Sequence, residues 1–216
     1  MLKPSAGRVE VFGQDLATAS RRRLDDIRRN SLGILLQGAA SNLLLHESAH
    51  QNVTFVARDE TGRRAGMEVL ALEGLERDHR PTAQMSPSEQ QIAAFAVAVS
   101  SSPALLVADE PTSRLDRTGR DRLLTIMLET VHRSGTALMV VTHDEAVAQQ
   151  MDRTIHLRDG RVGEEVTSRG RYAVLAADGS IQLPSDLLDG DWRPGALVKV
   201  DRSGATLELR LAETEQ

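Results

Sequence analysis

Cysteine is absent from this sequence, which excludes disulfides and thiolate metal sites. Lysine is nearly absent: of 26 basic residues only Lys3 and Lys199 are lysines. Aromatic residues make up 2% of the chain, with Trp192 the single tryptophan. No apolar run approaches the roughly 20 residues that span a bilayer, and the N-terminus lacks a signal-peptide core. Neither sign of charge dominates, with 26 basic residues against 31 acidic, so electrostatics make no case for nucleic-acid binding. No internal repeat or low-complexity tract appears. What remains is a 216-residue soluble-type chain, long enough for one good core and a small second module.

The informative stretch is Leu105-Leu106-Val107-Ala108-Asp109-Glu110-Pro111-Thr112, followed by Ser113-Arg114-Leu115-Asp116. Four apolar residues ending in two carboxylates describe a buried parallel strand that delivers acids to its carboxyl end, where ligands of open α/β sheets bind. There Asp109 can hold a hydrated Mg²⁺, and Glu110 can take a proton from an attacking water. A second apolar strand, Ala137 to Thr142, ends in His143 at the same edge. Leu32 to Leu36 reads as a short buried strand ending in the amide of Gln37. Finally, Ser86-Pro87-Ser88-Glu89 precedes an apolar helix: a capping serine, proline at the first helical position and glutamate three residues after the cap make a capping box.

As a set, these elements over residues 1 to about 165 resemble the ATP-binding subunit of ABC transporters. The resemblance makes Asp109-Glu110 the end of the Walker B strand, Asp116 the D-loop acid, His143 the switch histidine and Gln37 the Q-loop glutamine. It implies that Asp109 and Gln37 position Mg²⁺, that Glu110 polarises water and that His143 reaches the γ-phosphate. Asp116 organises the contact between two ATPase subunits. Ser86, Ser88 and Glu89 fall on the signature motif that serves a partner subunit's ATP. That motif is altered: Pro87 and Ser88 stand where two glycines are usual, and Ile92 replaces an arginine. Proline removes a backbone donor, and Ser88 adds a Cβ where phosphate approaches closely.

One element of the family is missing. Its ATPases cradle phosphate with Gly-x-x-x-x-Gly-Lys-Ser/Thr. Lys3 has only two residues before it and Lys199 lies in the strand pattern Leu197-Val198-Lys199-Val200, so neither fits. Pro4-Ser5-Ala6-Gly7-Arg8-Val9 matches the turn and strand after the P-loop helix. The expectation is therefore a chain that opens downstream of Walker A, through a truncated gene model or start site, a decayed gene, or a purposeful non-hydrolytic protein.

The expected fold is α/β, a P-loop NTPase-like ABC ATPase sheet with a helical subdomain, N-terminally truncated, plus a small C-terminal β module. The ATPase domain would run over 1–167 and the module over 168–216. The expected function is the ATP-binding subunit of an ABC exporter, using ATP and Mg²⁺ but incompetent alone, at the cytoplasmic face of the membrane beneath a separate permease. It would pair as a homodimer or with another ABC ATPase. The Pro-Ser-Ala-Gly start and the Asn-Leu-Leu after Gln37 resemble the lipoprotein-release and macrolide-export subtype. The alternative is a non-catalytic interaction or regulatory protein derived from such an ATPase.

Along the chain, the pattern predicts a strand from Arg8 to Phe12 and a helix from Arg21 to about Arg29 capped by Ser20. Further helices are predicted from about Glu47 to Ala57, Gly62 to Leu75, and Asp116 to about His132, the last ending near Gly135. Arg153 to Val162 reads as a hairpin turning at Asp159-Gly160. The interval from Gln37 to Ser86 suits a compact helical subdomain. After Gly163, four strand-length segments follow: Tyr172–Leu175, Ser180–Pro184, Ala196–Val200 and Thr206–Leu211. They are separated by the turn dipeptides Asp178-Gly179, Pro194-Gly195 and Ser203-Gly204. This module is similar to the swapped-hairpin barrel of bacterial transition-state regulators, but Asp178, Asp186, Asp189, Asp191 and Asp201 argue against a DNA role. Trp192 is expected to pack across it. His46, His50, His79, His132 and His156 show no metal-ligand spacing, and Arg21-Arg22-Arg23 reads as the wet face of a helix.

Overall fold

The computed structural model describes residues 7–158, 160–176, 179–183, 187–188, 190–193 and 196–212. The start Pro4-Ser5-Ala6, the turn residues Asp159 and Asp178, the segment Pro184 to Asp186, Asp189, and the Pro194-Gly195 dipeptide lie outside them. Two compact units form, Met1–Val147 and Ala148–Gln216.

The first unit opens with a hairpin, β1 (Glu10–Val11) against β2 (Gln14–Asp15). It turns through Phe12 and Gly13, whose φ of 51° and 72° are the pair of positive values that a tight two-residue hairpin needs. Helix α1 (Arg21–Asn30) begins where Ser20 accepts a hydrogen bond from the Arg23 N–H, and it buries only Ile27. Strand β3 (Leu32–Leu35) follows. Helices α2 (Ala49–Val56) and α3 (Glu60–Ala71) start from the side-chain caps Ser48 and Asp59.

Helix α4 (Pro87–Val99) is the centre of the unit, with every residue from Gln91 to Val99 buried. A helix apolar on all sides is stable only when surrounded. Gly62 and Gly66 let α3 approach it: a Cβ on Gly62 would overlap the Ser100 carbonyl oxygen, and one on Gly66 would lie 2.7 Å from Val53 and 2.9 Å from the Ala96 carbonyl oxygen. Strand β4 (Leu105–Asp109), helix α5 (Arg117–Ser134) and strand β5 (Ala137–Val141) complete the αβ layers. Asp116 caps α5 at its start, and Gly135, at φ 69°, ends it. Helix α6 (Glu145–Ala148) follows β5.

The sheet is parallel with order β3-β4-β5. Leu35, Leu106 and Ala108 are buried, while Ile34, Met139 and Val141, on the alternate positions, stay about half exposed. Register places Leu35 beside Ala108 and Asp109 beside Val141. All three strands thus end level.

The second unit holds an antiparallel meander of β6 (Arg153–Arg158), β7 (Arg161–Thr167) and β8 (Gly170–Ala173). Strands β9 (Val198–Ser203) and β10 (Thr206–Leu211) make a separate hairpin. The segment at Tyr172 therefore pairs back onto β7, with Tyr172 opposite Glu165, so residue 168 falls inside this unit between two bonded strands. Around Ser180 only an isolated bridge, Leu175 to Ile181, forms. Trp192 lines an apolar hollow of about 220 Å³ with Ile181, Leu183, Leu188 and Val200.

Candidate nucleotide-handling site

The level strand ends bring four of the predicted residues to one sheet edge: Gln37 follows β3, Asp109 ends β4 with Glu110 next in the chain, and His143 follows β5. Glu110 is held in an unusual backbone conformation, φ 46°, which for a residue with a Cβ costs on the order of 1–3 kcal/mol and recurs at functional sites. Its N–H donates to the Val141 carbonyl at 2.8 Å, and the Ser113 hydroxyl donates to its carbonyl at 3.1 Å. The bend turns the Glu110 side chain toward β5. There Oε1 accepts from the His143 N–H at 3.0 Å and lies 2.8 Å from His143 Nδ1. The Thr142 hydroxyl is 3.4 Å from Oε2.

The pair is asymmetric: the Glu110 side chain is 17% exposed and the His143 ring 82%. The Glu110 hydrogen bond, reinforced by its negative charge, raises the His143 pKa above the ordinary 6.5. The folded-state value is raised, so the pair's contribution is fully present below about 6.5 and is lost as pH rises through the elevated value. A ¹⁵N-detected titration should find His143 deprotonating above the ordinary 6.5. Glu110→Gln should bring it down to the ordinary range; an unshifted titration in that variant would refute the clasp.

Thr142 and Asp144 brace this edge. The Asp144 N–H donates to Thr142 Oγ1 at 3.0 Å, and Arg120 of α5 reaches the Asp144 carboxylate at 3.3 Å. On the β3 side Asn42 fixes the Gln37 turn. Its Oδ1 accepts from the Leu36 N–H at 2.9 Å, and its Nδ2 donates to the carbonyls of Leu36 and Gly38 at 3.0 and 3.1 Å. Asn52, 3% exposed, does the same for the next loop through Leu44 and Ser48. In the sequence Asn42 stands out only as the start of Asn-Leu-Leu and Thr142 only as a strand end, and neither they nor Asn52 carry a predicted site role. The only local signal is an Asn shortly after a strand end, a residue type that bonds nearby backbone readily.

Ser86, Ser88 and Glu89 sit together at the start of α4. Ser86 Oγ accepts from the Glu89 N–H at 3.3 Å, and Glu89 accepts from the Ser86 N–H at 2.7 Å. Arg80 adds a 3.1 Å ion pair to Glu89. The Ser86 backbone donor, with smaller help from the Ser86 side chain and Arg80, lowers the Glu89 pKa against burial. Ser88 turns toward the first turn of α5, where a Cβ on Gly119 would meet its hydroxyl at 3.3 Å. Asp116 accepts from the Gly119 N–H at 2.9 Å. The two predicted helix starts are therefore neighbours.

Among the described residues no three His, Asp or Glu side chains gather as a metal cage. Mg²⁺ bound with nucleotide takes one or two carboxylates plus phosphates and water, and the exposed carboxylate of Asp109 at the end of β4 suits that role. The phosphates themselves find no Gly-x-x-x-x-Gly-Lys-Ser/Thr in this chain. The residues fit the metal and not the phosphate cradle.

Residues 1–113 match the family model described as ABC transporter. The lipoprotein-releasing system ATP-binding protein LolD of Ruegeria sp. (strain TM1040) is 40% identical over 164 residues, covering 72% of this chain and 70% of that protein. LolD 1 of Caulobacter vibrioides is 34% identical over 180 residues, covering 80% and 76%. Among solved structures, the dimeric ATP-binding cassette MJ0796 bound to ADP and Pi superposes with a TM-score of 0.64 at 28% identity, over 78% of this chain and 76% of that one. CbiO1 from Clostridium perfringens does so with a TM-score of 0.66 at 26% identity, over 76% and 67%. The fold is that of the ABC ATPase cassette, and the chain belongs to the ABC transporter family, among its ATP-binding subunits.

Proposed function

We propose that the chain is the nucleotide-handling subunit of a lipoprotein-release-type exporter, pairing with a second ATPase subunit beneath separate permease subunits at the cytoplasmic face of the membrane. The observation that carries this reading is the Glu110–His143 clasp at the sheet edge, since a scaffold needs neither a water-orienting acid nor an exposed histidine held against it. In this reading Asp109 and Gln37 hold Mg²⁺, which supplies charge neutralisation at phosphate when bound. Glu110 Oε1 is occupied by His143, so Oε2 is the oxygen that orients a water and accepts its proton. The exposed His143 ring, its pKa raised by the Glu110 carboxylate, lies beyond the strand end. Ser86, with Ser88, Glu89 and the first turn of α4, offers a hydroxyl and N–H groups to nucleotide on the partner subunit, and Asp116 lies at the contact between subunits.

A second reading is a non-catalytic subunit that lends its α4 start, with the Ser86–Glu89 capping box, to another ATPase. Both readings place the permease against the helical part of the first unit. There Phe55 is 78% exposed and Leu44 and Val56 about 40%; they border a groove of about 260 Å³ with Ser41, Asn42 and Asn52. In detergent extracts containing a lipoprotein-release permease complex, the tagged chain should retain the permease, and Phe55→Asp should reduce retention by about tenfold or more, the scale of an exposed anchor lost from an interface. Equal retention by the variant would overturn this docking.

A further inference from the structure

The β9–β10 hairpin has no third strand on either edge among the described residues. Two strands alone are marginal in water, and three or more are needed for independent stability. The register sets Ser203 opposite Thr206 across a two-residue turn, then Asp201 opposite Glu208 and Lys199 opposite Arg210. Both charged pairs across the hairpin are therefore like-signed, which is destabilising. Among the described residues relief comes along each strand, through Lys199–Asp201 at 3.6 Å and Arg210–Glu208 at 2.8 Å.

The turn also fixes which backbone groups are free. With Ser203 and Thr206 closing it, Thr206, Glu208 and Arg210 point their N–H and C=O groups at β9. The Ala212 N–H donating to the Leu197 carbonyl at 2.9 Å is in the same phase. Leu207, Leu209 and Leu211 consequently direct theirs to the open edge. That edge carries neither proline nor bulge, two of the devices that block pairing with another chain.

We infer that β10 is a self-association edge that pairs antiparallel with β10 of a second copy of this chain, centred on Leu209. In that register Leu209 meets the partner's Leu209 in a hydrogen-bonded pair, and Leu207 meets the partner's Leu211. Glu208 then faces the partner's Arg210 on both sides of the two-fold axis, in the non-hydrogen-bonded position where side chains approach most closely. Charges that clash within the hairpin find their complements between copies. Leu207, 63% exposed in the single chain, is covered. Self-pairing of β9 about Val200 would also oppose Lys199 and Asp201, but it would set Val198 against Arg202 and break the apolar face; β10 keeps it continuous. This inference does not rest on the nucleotide site.

Sedimentation velocity of the full chain without nucleotide tests it. The native chain should dimerise. Glu208→Arg and Arg210→Glu should each weaken dimerisation by about tenfold, because each replaces two attractive contacts by two repulsive ones. The double variant should recover it, and an equimolar mixture of the two single variants should form heterodimers. Each single variant exchanges a like-charge pair across its hairpin for one along β10, and heterodimer formation by the mixture separates loss of dimer from unfolding of that element. A monomeric native chain, single variants that dimerise like the native chain, or a double variant that fails to recover would each overturn the inference.

Discussion

Purified as this 216-residue chain, the protein should turn over ATP no faster than background, about a thousandfold or more below a complete ATPase of its family. The reason is division of labour at the phosphates. Phosphoryl transfer is catalysed almost wholly by positioning and charge stabilisation, and preorganised geometry alone can supply roughly 7–11 kcal/mol of barrier lowering. In the proposed reading, Glu110, Thr142 and His143, hydrogen-bonded to one another, supply the water-orienting side of that arrangement. This chain has no glycine-lysine loop to hold the phosphates. Of its two lysines, Lys199 lies in β9 of the second unit, ion-paired with Asp201, far in kind from a loop at a helix start. The measurement is phosphate release from ATP and Mg²⁺ by the chain alone. Steady turnover that Glu110→Gln abolishes would show that a phosphate cradle is present in some other form. Turnover that appears only on adding a second subunit with an intact P-loop, and that falls on Ser86→Ala in this chain, would favour the proposed pairing.

Much of the site was legible because its chemistry is local. The Ser86–Glu89 capping box, the start of α5 at Asp116 and the Gly135 stop each depend on residues within one turn; the box and the stop form where the pattern places them, and Asp116 serves as the cap of α5. The strand ends were legible for a related reason: four apolar residues and then a carboxylate can be buried only one way round, so Asp109, Glu110 and His143 fall at one edge once the strands are parallel. What could not be read is what depends on distant partners. The positive φ of Glu110 is imposed by its bonds to Val141 and His143, 31 and 33 residues later. The second unit shows the same limit. Thr206 to Leu211 forms its strand as the alternation suggests, and its partner begins at Val198 instead of Ala196. The Tyr172 segment joins β7, and the segment at Ser180 gives only a bridge. A short strand is stabilised by whatever lies across from it, and nothing within the segment names that neighbour.

Glycine 62 carries the second large effect: Gly62→Ala should destabilise the first unit by about 2–3 kcal/mol, the range of a tightly overpacked core. Helix propensity argues the other way, since alanine in place of glycine inside a helix is worth about 1 kcal/mol. The sign is decided by where the new methyl group lands. On Gly62 it overlaps the Ser100 carbonyl oxygen and lies 3.0 Å from the Ser102 hydroxyl. That wall cannot easily retreat. Ser100 is fully buried, its N–H is bonded to Ala96 and its hydroxyl to Val97, and Ser102, at φ 50°, already bends the chain toward central strand β4. Gly66, one turn further along α3, meets Val53 at 2.7 Å and the Ala96 carbonyl at 2.9 Å. Because these contacts are longer than the overlap at Gly62, Gly66→Ala should cost less than Gly62→Ala. Urea denaturation followed by far-ultraviolet circular dichroism measures both. A Gly62→Ala variant as stable as the native chain, or more so, would mean that α3 does not close onto α4 as described. If the approach is this close, the double variant should lose more than either alone. The two methyl groups push α3 off the same helix, so their effects share one displacement and fall short of strict additivity.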